Sequence, residues 1–136
     1  MKMSLEEEVL EANAAFYLAF RTRDVERMEN LWAEEHQVVC IHPGWVAISG
    51  RTDVLASWFE ILCQPSAPDI RCKDAQAYVI GDAAYVICTE VIEDSLLAAT
   101  NILVRESGGW RFVHHQAGPL ALRVGSKEKA SDPVIH

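Results

Sequence analysis

The feature that most constrains this chain is a change of hydrophobic period at Pro68. Before Pro68, apolar residues recur at helical spacing, and after it come runs rich in Val, Ile, Tyr and Thr. These runs predict strands over residues 70–80, 83–92, 96–106 and 110–122. They are separated by turn-forming sequences, namely Gly81-Asp82, Glu93-Asp94-Ser95 and Ser107-Gly108-Gly109. Helices followed by an antiparallel meander indicate an α+β fold and not alternating βαβ units.

The part of the chain before Pro68 predicts three helices. Ser4 can cap a first helix over residues 4–22, and Glu7, three positions later, completes a capping box. Asp24 can cap a short second helix. The other predicted elements are a strand over residues 37–42 and a helix that Gly50-Arg51 opens and Pro65 closes. These N-terminal helices can cover one face of the later sheet.

Length and composition fit one domain. The chain has 136 residues, of which 50% are hydrophobic, enough for a core without disulfides or metals. We expect residues 1–123 to form a single unit and the polar segment 124–136 to be a frayed tail. The N-terminus is too acidic for a signal peptide and no apolar run could span a bilayer, so a cytoplasmic location is expected.

Charge and motifs exclude several kinds of partner. The net charge of −8 and the scattered basic residues argue against nucleic acid and anionic membranes. The sequence has no Gly-rich strand-to-helix turn of the kind that binds nucleotide cofactors, and its His and Cys spacings do not resemble a zinc site. We therefore expect no cofactor and no metal. The cysteines are interpreted as reduced and structural: Cys40, Cys63, Cys72 and Cys88.

A long antiparallel sheet curls, and helices on its concave face leave room for a ligand. In that context three segments, in this order and spacing, resemble the nuclear transport factor 2-like superfamily and its SnoaL-like domains over about residues 4–122. They are the helix end Arg23-Asp24-Val25-Glu26-Arg27-Met28 with Leu31-Trp32, the strand end Ile41-His42-Pro43-Gly44-Trp45 with Gly50-Arg51, and residues 109–119 around Val113-His114-His115.

The resemblance implies a cystatin-like, cone-shaped α+β barrel with helices on a curved, mainly antiparallel sheet, and a homodimer formed through that sheet. The superfamily includes ketosteroid isomerases, polyketide cyclases, dehydratases and transport factors, so the fold alone does not decide function. The kinase II association domain is a second relative, because its last strand resembles residues 110–118.

Comparison with ketosteroid isomerase implies three catalytic candidates. His42 precedes Pro43 at the place of the isomerase's general-base aspartate, and imidazole can accept a proton near neutral pH. Asn101 falls near its buried oxyanion-hole aspartate. On the last strand the comparison places His114 inward, with Phe112 and Gln116 on the same face as possible ligand contacts. His42 and His114 can equally be structural histidines, and Asn101 can equally pin a loop.

The remaining ligand candidates are aromatic. Tyr17 and Trp58 lie on helices that cover the sheet, and Trp45 follows the Pro-Gly turn at the expected mouth of the pocket. Each of these aromatic residues can also be part of the core. Glu90 interrupts an apolar strand, and we predict that it lies on the solvent face and not in the cavity.

These observations favour a protein that binds a small, largely apolar molecule. If it is catalytic, we expect a cofactor-independent acid–base isomerase, cyclase or dehydratase, with His42 as base and Asn101 and His114 as orienting or polarising groups. The alternative is a noncatalytic dimerisation or association module, whose sheet face binds a partner.

Overall fold

The computed structural model describes residues 2–123, so the expected frayed tail over residues 124–136 lies outside the described residues. Its helices and strands follow the predicted order closely. They are α1 (Leu5–Thr22), α2 (Val25–Leu31), β1 (Val39–Ile41), β2 (Ile48–Ser49), α3 (Arg51–Leu62), β3 (Ile70–Ile80), β4 (Ala83–Ile92), β5 (Ser95–Glu106) and β6 (Gly109–Arg123). Only the two-residue strand β2 was not predicted. No helix within residues 2–123 combines the length and the apolarity needed to cross a membrane.

Local side-chain chemistry explains where the helices begin. The Ser4 hydroxyl accepts a hydrogen bond from the Glu7 amide at 3.1 Å, and the Glu7 carboxylate accepts one from the Ser4 amide at 2.8 Å. The predicted capping box is therefore confirmed. Asp24 likewise caps α2 by accepting from the amide of Arg27 at 3.0 Å.

The strands form one mixed sheet in the order β2-β1-β6-β5-β4-β3. The long strands β3 to β6 form the predicted antiparallel meander, and β1 joins it by pairing in parallel with β6. The sheet is open and not a closed barrel, with three helices against it. This confirms the α+β class and the cone-like arrangement of helices on a mainly antiparallel sheet.

Helix α1 packs its apolar stripe on the inner face of the sheet. Phe16 is at the centre of this contact: its ring stacks on Phe112 of β6 at 4.7 Å and meets Trp58 of α3 edge-on at 5.3 Å. All three side chains are almost completely buried. Because aromatic rings bury large apolar areas, this cluster ties α1, α3 and β6 together.

Arg23, just after α1, ties the loop that follows α3 to the rest of the domain. Its guanidinium donates hydrogen bonds to the carbonyl oxygens of Leu62, Gln64 and Ala67 at 3.3, 2.8 and 2.7 Å. This loop leads to Pro68, which lines the main cavity. Arg23 therefore helps to set the position of one cavity wall.

Candidate functional site

A cavity of about 260 Å³ lies between the helices and the inner face of the sheet. Its walls are mainly aromatic and aliphatic, and no Lys or Arg from the described part of the chain lines it. The hydroxyl, carboxyl and imidazole groups at the cavity come from α1, β4, β6 and the end of β1. The lining residues are Phe16, Tyr17, Phe20, His42, Pro43, Trp45, Trp58, Ile61, Pro68, Ile70, Glu90, Ile92 and His115.

Glu90 is the acidic group of this cavity, and the prediction that it faces solvent is wrong. It lies on the same face of β4 as Val86 and Cys88, and its exposed fraction is 2%. Tyr17 donates a hydrogen bond to Glu90 Oε2 at 2.6 Å. Among residues 2–123, no donor lies within hydrogen-bonding distance of the other oxygen, Oε1, which is not sealed from the cavity.

The electrostatics of Glu90 follow from this burial. Desolvation raises the pKa of its carboxyl group, and the hydrogen bond from Tyr17 opposes the increase without cancelling it. A carboxyl group of this kind exchanges a proton closer to neutral pH than an exposed one does. Such a group is suited to general acid catalysis.

A β-bulge in β6 decides which imidazole faces inward. Leu103 pairs with Phe112 and Ile102 pairs with His114, so Val113 is an extra residue without a partner on β5. The bulge reverses the alternation of faces, and Asn101 now pairs with His115.

The prediction that His114 faces inward is therefore wrong. The buried imidazole is that of His115, whereas His114 Nδ1 lies 3.0 Å from the carbonyl oxygen of Val39 in the neighbouring strand. Gln116 is exposed on the face opposite His115, which corrects the prediction that it faces the cavity. Phe112 does face inward, but it packs in the core against Phe16 and does not line the cavity.

His115 belongs to a buried network that also contains Asn101. Its Nδ1 lies 2.6 Å from Asn101 Oδ1, and its Nε2 lies 3.9 Å from Glu90 Oε2. Burial lowers the pKa of His115 to about 3, and the nearby imidazoles of His42 and His114 add to this decrease. His115 is therefore neutral at physiological pH.

Asn13 completes this network, and the sequence analysis missed it. Asn101 Nδ2 donates to Asn13 Oδ1 at 2.7 Å and to the Tyr17 hydroxyl at 3.2 Å. Asn13 is almost completely buried, and it lies four residues before Tyr17 on the same face of α1. An asparagine within an apolar helical stripe was the signal that could have revealed it.

His42 lies at the cavity, as a second buried imidazole. Its Nε2 is 2.9 Å from the hydroxyl oxygen of Ser57, and its ring contacts Trp45 and Trp58 edge-on at 4.8 and 4.6 Å. Burial lowers its pKa to about 4, so this imidazole is also neutral near pH 7. It can act as a proton acceptor.

The structure brings together some of the predicted site residues and separates others. Tyr17, His42, Trp45 and Trp58 line one cavity, together with the unpredicted His115. Asn101 lies behind that wall and contacts His115 and Tyr17 instead of the cavity. Within residues 2–123, no three His, Cys, Asp or Glu side chains converge as a metal site would require.

The arrangement of these titratable side chains is suited to moving protons. A carboxyl group with a raised pKa lies beside a neutral imidazole, and a second neutral imidazole lies on another wall of the cavity. Pairs of titratable groups whose surroundings push them toward opposite roles are typical of acid–base sites. The apolar walls would limit the access of water during such a reaction.

The chain resembles known proteins in its class of fold and in its family. The fold is that of the nuclear transport factor 2-like superfamily, and the family model "SnoaL-like domain" matches residues 9–121. The chain belongs to the SnoaL-like domain family. No curated protein sequence matches the chain.

Solved structures agree with this assignment. A dehydratase candidate of the same superfamily from Streptomyces avermitilis is 34% identical, with a TM-score of 0.78 over 85% of this chain and 96% of that one. A candidate calcium/calmodulin-dependent protein kinase type II association domain from Thiobacillus denitrificans is 31% identical, with a TM-score of 0.71 over 80% and 92%. An uncharacterised cystatin-like protein from Caulobacter vibrioides is 15% identical with a TM-score of 0.77 over 93% and 94%, a likeness of fold alone.

Proposed function

We propose that this protein binds a small, largely apolar molecule in the cavity and removes water from it by acid–base chemistry. The observation that carries this proposal is the position of Glu90. Its carboxyl group is almost fully buried, has one oxygen free toward the cavity, and lies 3.9 Å from the neutral imidazole of His115. Surface carboxylates and purely structural histidines do not combine these properties.

The chemistry would follow from the protonation states. Protonated Glu90 gives its proton to the hydroxyl group of the ligand, which leaves as water, while His42 takes a proton from the neighbouring carbon. The electrons of the broken C–H bond form the new C=C bond, so nothing is oxidised or reduced. The imidazolium of His42 then loses its proton to solvent, and Glu90 regains one.

Two further points support an elimination. The Streptomyces avermitilis structure, which is 34% identical, is named as a dehydratase candidate. In addition, no Lys or Arg within the described chain lines the cavity. A neutral substrate therefore fits the site better than a phosphate or a carboxylate, since either anion would enter without a counter-charge.

The test begins with native mass spectrometry of freshly purified protein, to identify a small molecule that travels with it. Hydroxylated bicyclic ketones are then incubated with the protein, and loss of water is followed by mass and by the absorbance of the new double bond. Glu90→Gln should reduce turnover by about 100-fold or more, as expected for loss of a general acid. The exposed Glu60→Gln is the matched control. Equal activity of Glu90→Gln and the wild-type protein would refute the mechanism.

The outer face of the sheet supports a second function, association with another copy of the chain. Tyr78 and Tyr85 stack there at 4.9 Å, and they are partly exposed beside Ile80 and Ile87. Contiguous exposed apolar side chains are typical of interaction surfaces. The 31% identical relative from Thiobacillus denitrificans is named as a candidate association domain, which supports association as a function of this fold.

Sedimentation velocity tests this second function. The wild-type protein should sediment as a dimer, and Tyr85→Glu should convert it to a monomer by placing a charge in the apolar interface. Glu60→Gln, on a helix, should leave the dimer intact. A wild-type monomer at all accessible concentrations would refute association, and it would leave the cavity chemistry unaffected.

A further inference from the structure

The hydrogen bonds around the two cavity imidazoles determine which nitrogen of each ring carries its proton. At His42 the partner is the hydroxyl group of Ser57, whose oxygen lies 2.7 Å from the carbonyl oxygen of Val54. A carbonyl oxygen only accepts, so the single hydroxyl proton of Ser57 points to Val54. The Ser57 oxygen must then accept from His42, and Nε2 carries the proton of that ring.

At His115 the hydrogen bonds select the opposite tautomer. Asn13 Oδ1 and the Tyr17 hydroxyl oxygen lie on the Nδ2 side of Asn101, and both accept its hydrogens. The amide of Asn101 is thereby oriented, and it presents Oδ1 to His115 Nδ1 at 2.6 Å. An amide oxygen only accepts, so Nδ1 of His115 carries the proton.

Each ring therefore keeps one nitrogen with a free lone pair. Both imidazoles are neutral at pH 7, because burial lowers their pKa values to about 4 for His42 and about 3 for His115. The free nitrogen of His115 is Nε2, beside Glu90. The nitrogen of His42 that carries no proton is Nδ1, and the sulfur of Cys40 lies 3.9 Å from it.

We propose that Asn13 and Ser57 are positioning residues, which hold the two cavity imidazoles in opposite neutral tautomers so that the cavity selects a hydroxyl-bearing ligand. Neither residue lines the cavity; each acts through a neighbouring side chain. The ligand class rests on the proposed function, because it assumes that the cavity is the binding site. The tautomers themselves do not depend on that assumption.

A hydroxyl group is the ligand chemistry that matches both polar groups on this wall. It can donate to Nε2 of His115 and accept from a protonated Glu90 at Oε1. An ether or a ketone can only accept, and it would leave the imidazole lone pair unpaired. Two other donors at the cavity cannot replace the ligand hydroxyl, since the Tyr17 proton is given to Glu90 and the indole N–H of Trp58 is buried.

The tautomers can be measured on ligand-free protein by long-range ¹H–¹⁵N NMR of the histidine rings. In the wild-type protein His115 should be protonated at Nδ1 and His42 at Nε2. Asn13→Leu removes the nearer of the two acceptors that orient Asn101 and leaves only the Tyr17 hydroxyl oxygen at 3.2 Å, so His115 should populate both neutral tautomers. Asn13→Asp keeps an oxygen at that place and should preserve the wild-type tautomer.

Ser57 provides an independent pair of variants. Ser57→Ala should release His42 into a mixture of tautomers, whereas Ser57→Thr should retain the wild-type form. A His115 ring protonated at Nε2 in the wild-type protein would overturn the proposal. The same conclusion would follow if folded Asn13→Leu protein kept the wild-type tautomer. If Asn13→Leu does not fold, the wild-type spectrum and the Ser57 pair decide the question.

The ligand class is tested by calorimetric titration with 2-naphthol, 2-methoxynaphthalene and 2-naphthoate. The wild-type protein should bind 2-naphthol about tenfold more tightly than the ether, and the anion least of all. Ser57→Thr should keep this preference, and Asn13→Leu should weaken it. Equal binding of the naphthol and the ether would refute the ligand class. If the tautomers are as expected but none of the three naphthalene compounds binds, the result would instead refute the proposed binding function.

Discussion

Glu90 and Glu106 are both buried glutamates on the same sheet, with exposed fractions of 2% and 5%, yet their surroundings differ. Both oxygens of Glu106 are engaged: Oε1 accepts from the Glu34 amide, and Oε2 accepts from the Glu35 amide, each at 2.9 Å. The ring nitrogen Nδ1 of His36 also lies 2.7 Å from Oε2. Glu90 has one hydrogen-bonding donor, Tyr17, and a cavity beside it.

The two surroundings shift the pKa of the carboxyl group in opposite directions. Burial opposes the charged form of Glu106, but the hydrogen bonds from His36 and from the two amides outweigh burial and lower its pKa. At Glu90 burial dominates and the pKa rises. Burial alone therefore does not mark a functional carboxyl group. An incomplete set of donors beside an open space is typical of functional carboxyl groups, whereas a complete set indicates a structural role.

The largest expected effect on stability is that of removing the Glu106 carboxylate, and it tests the structural role of this residue. Glu106→Ala should lower the free energy of unfolding by about 3 kcal/mol, because it leaves two buried backbone amides without acceptors. Urea denaturation followed by circular dichroism measures this change. The exposed Glu60→Ala should change stability by less than about 0.5 kcal/mol. A similar small change for Glu106→Ala would mean that water replaces its hydrogen bonds without cost.

The next effect is the pH dependence that the two cavity imidazoles impose. The pKa values of His42 and His115 are lower in the folded state than in the unfolded chain, where histidine titrates near about 6.5. As pH falls below that value the unfolded state takes up protons first, so stability decreases. Between pH 7 and pH 5 each imidazole should remove about 2 kcal/mol.

Urea titrations at several pH values check this slope. His42→Gln and His115→Asn should each flatten it, whatever their effect on absolute stability. Glu90 acts in the opposite direction, because its raised pKa gives a destabilisation that is relieved as pH falls through the folded-state pKa. Glu106 stabilises the fold above its unfolded-state pKa, and that contribution is lost as pH falls through its lowered folded-state value. An unchanged slope in both histidine variants would contradict the assigned shifts.

A smaller effect distinguishes the two glutamates at neutral pH. Glu90→Gln should leave stability unchanged or increase it by about 1 kcal/mol, since glutamine fills the same space, keeps an oxygen for Tyr17 and avoids the desolvation that raises the pKa of the carboxyl group. A loss of stability in Glu106→Ala together with no loss in Glu90→Gln would show that, of the two carboxyl groups, only that of Glu106 stabilises the fold. A destabilisation of Glu90→Gln as large as that of Glu106→Ala would remove the distinction.

The smallest effect concerns His114, on the face opposite His115. His114→Ala removes a contact with the carbonyl oxygen of Val39 and should cost about 1 kcal/mol or less. Turnover and ligand binding should be unchanged, in contrast to His115→Asn. Activity assays on these two neighbouring variants therefore test the bulge in β6. Loss of activity in His114→Ala alone would indicate that His114 faces the cavity.

Much of the fold could be predicted from the sequence, but less of the site. The capping box at Ser4 and Glu7, the cap at Asp24 and the four strands depend on residues a few positions apart, so local spacing reveals them. For His42, at the strand end before Pro43, the resemblance to ketosteroid isomerase implied a place at the cavity, and a structural role was equally open. The solvent-facing assignment of Glu90 failed because strand alternation alone does not say which face the helices cover.

Apart from β2, the sequence by itself determined the kinds of element, their order and their approximate ends, because those depend on short-range capping, turn chemistry and hydrophobic period. Only the tertiary structure decided that Val113 is an unpaired residue in β6, that His115 and not His114 faces inward, and that Asn13 reaches Asn101 across the core. The reason is physical: a one-residue change of register between strands reverses the faces of a strand, and contacts between residues far apart in the chain set that register.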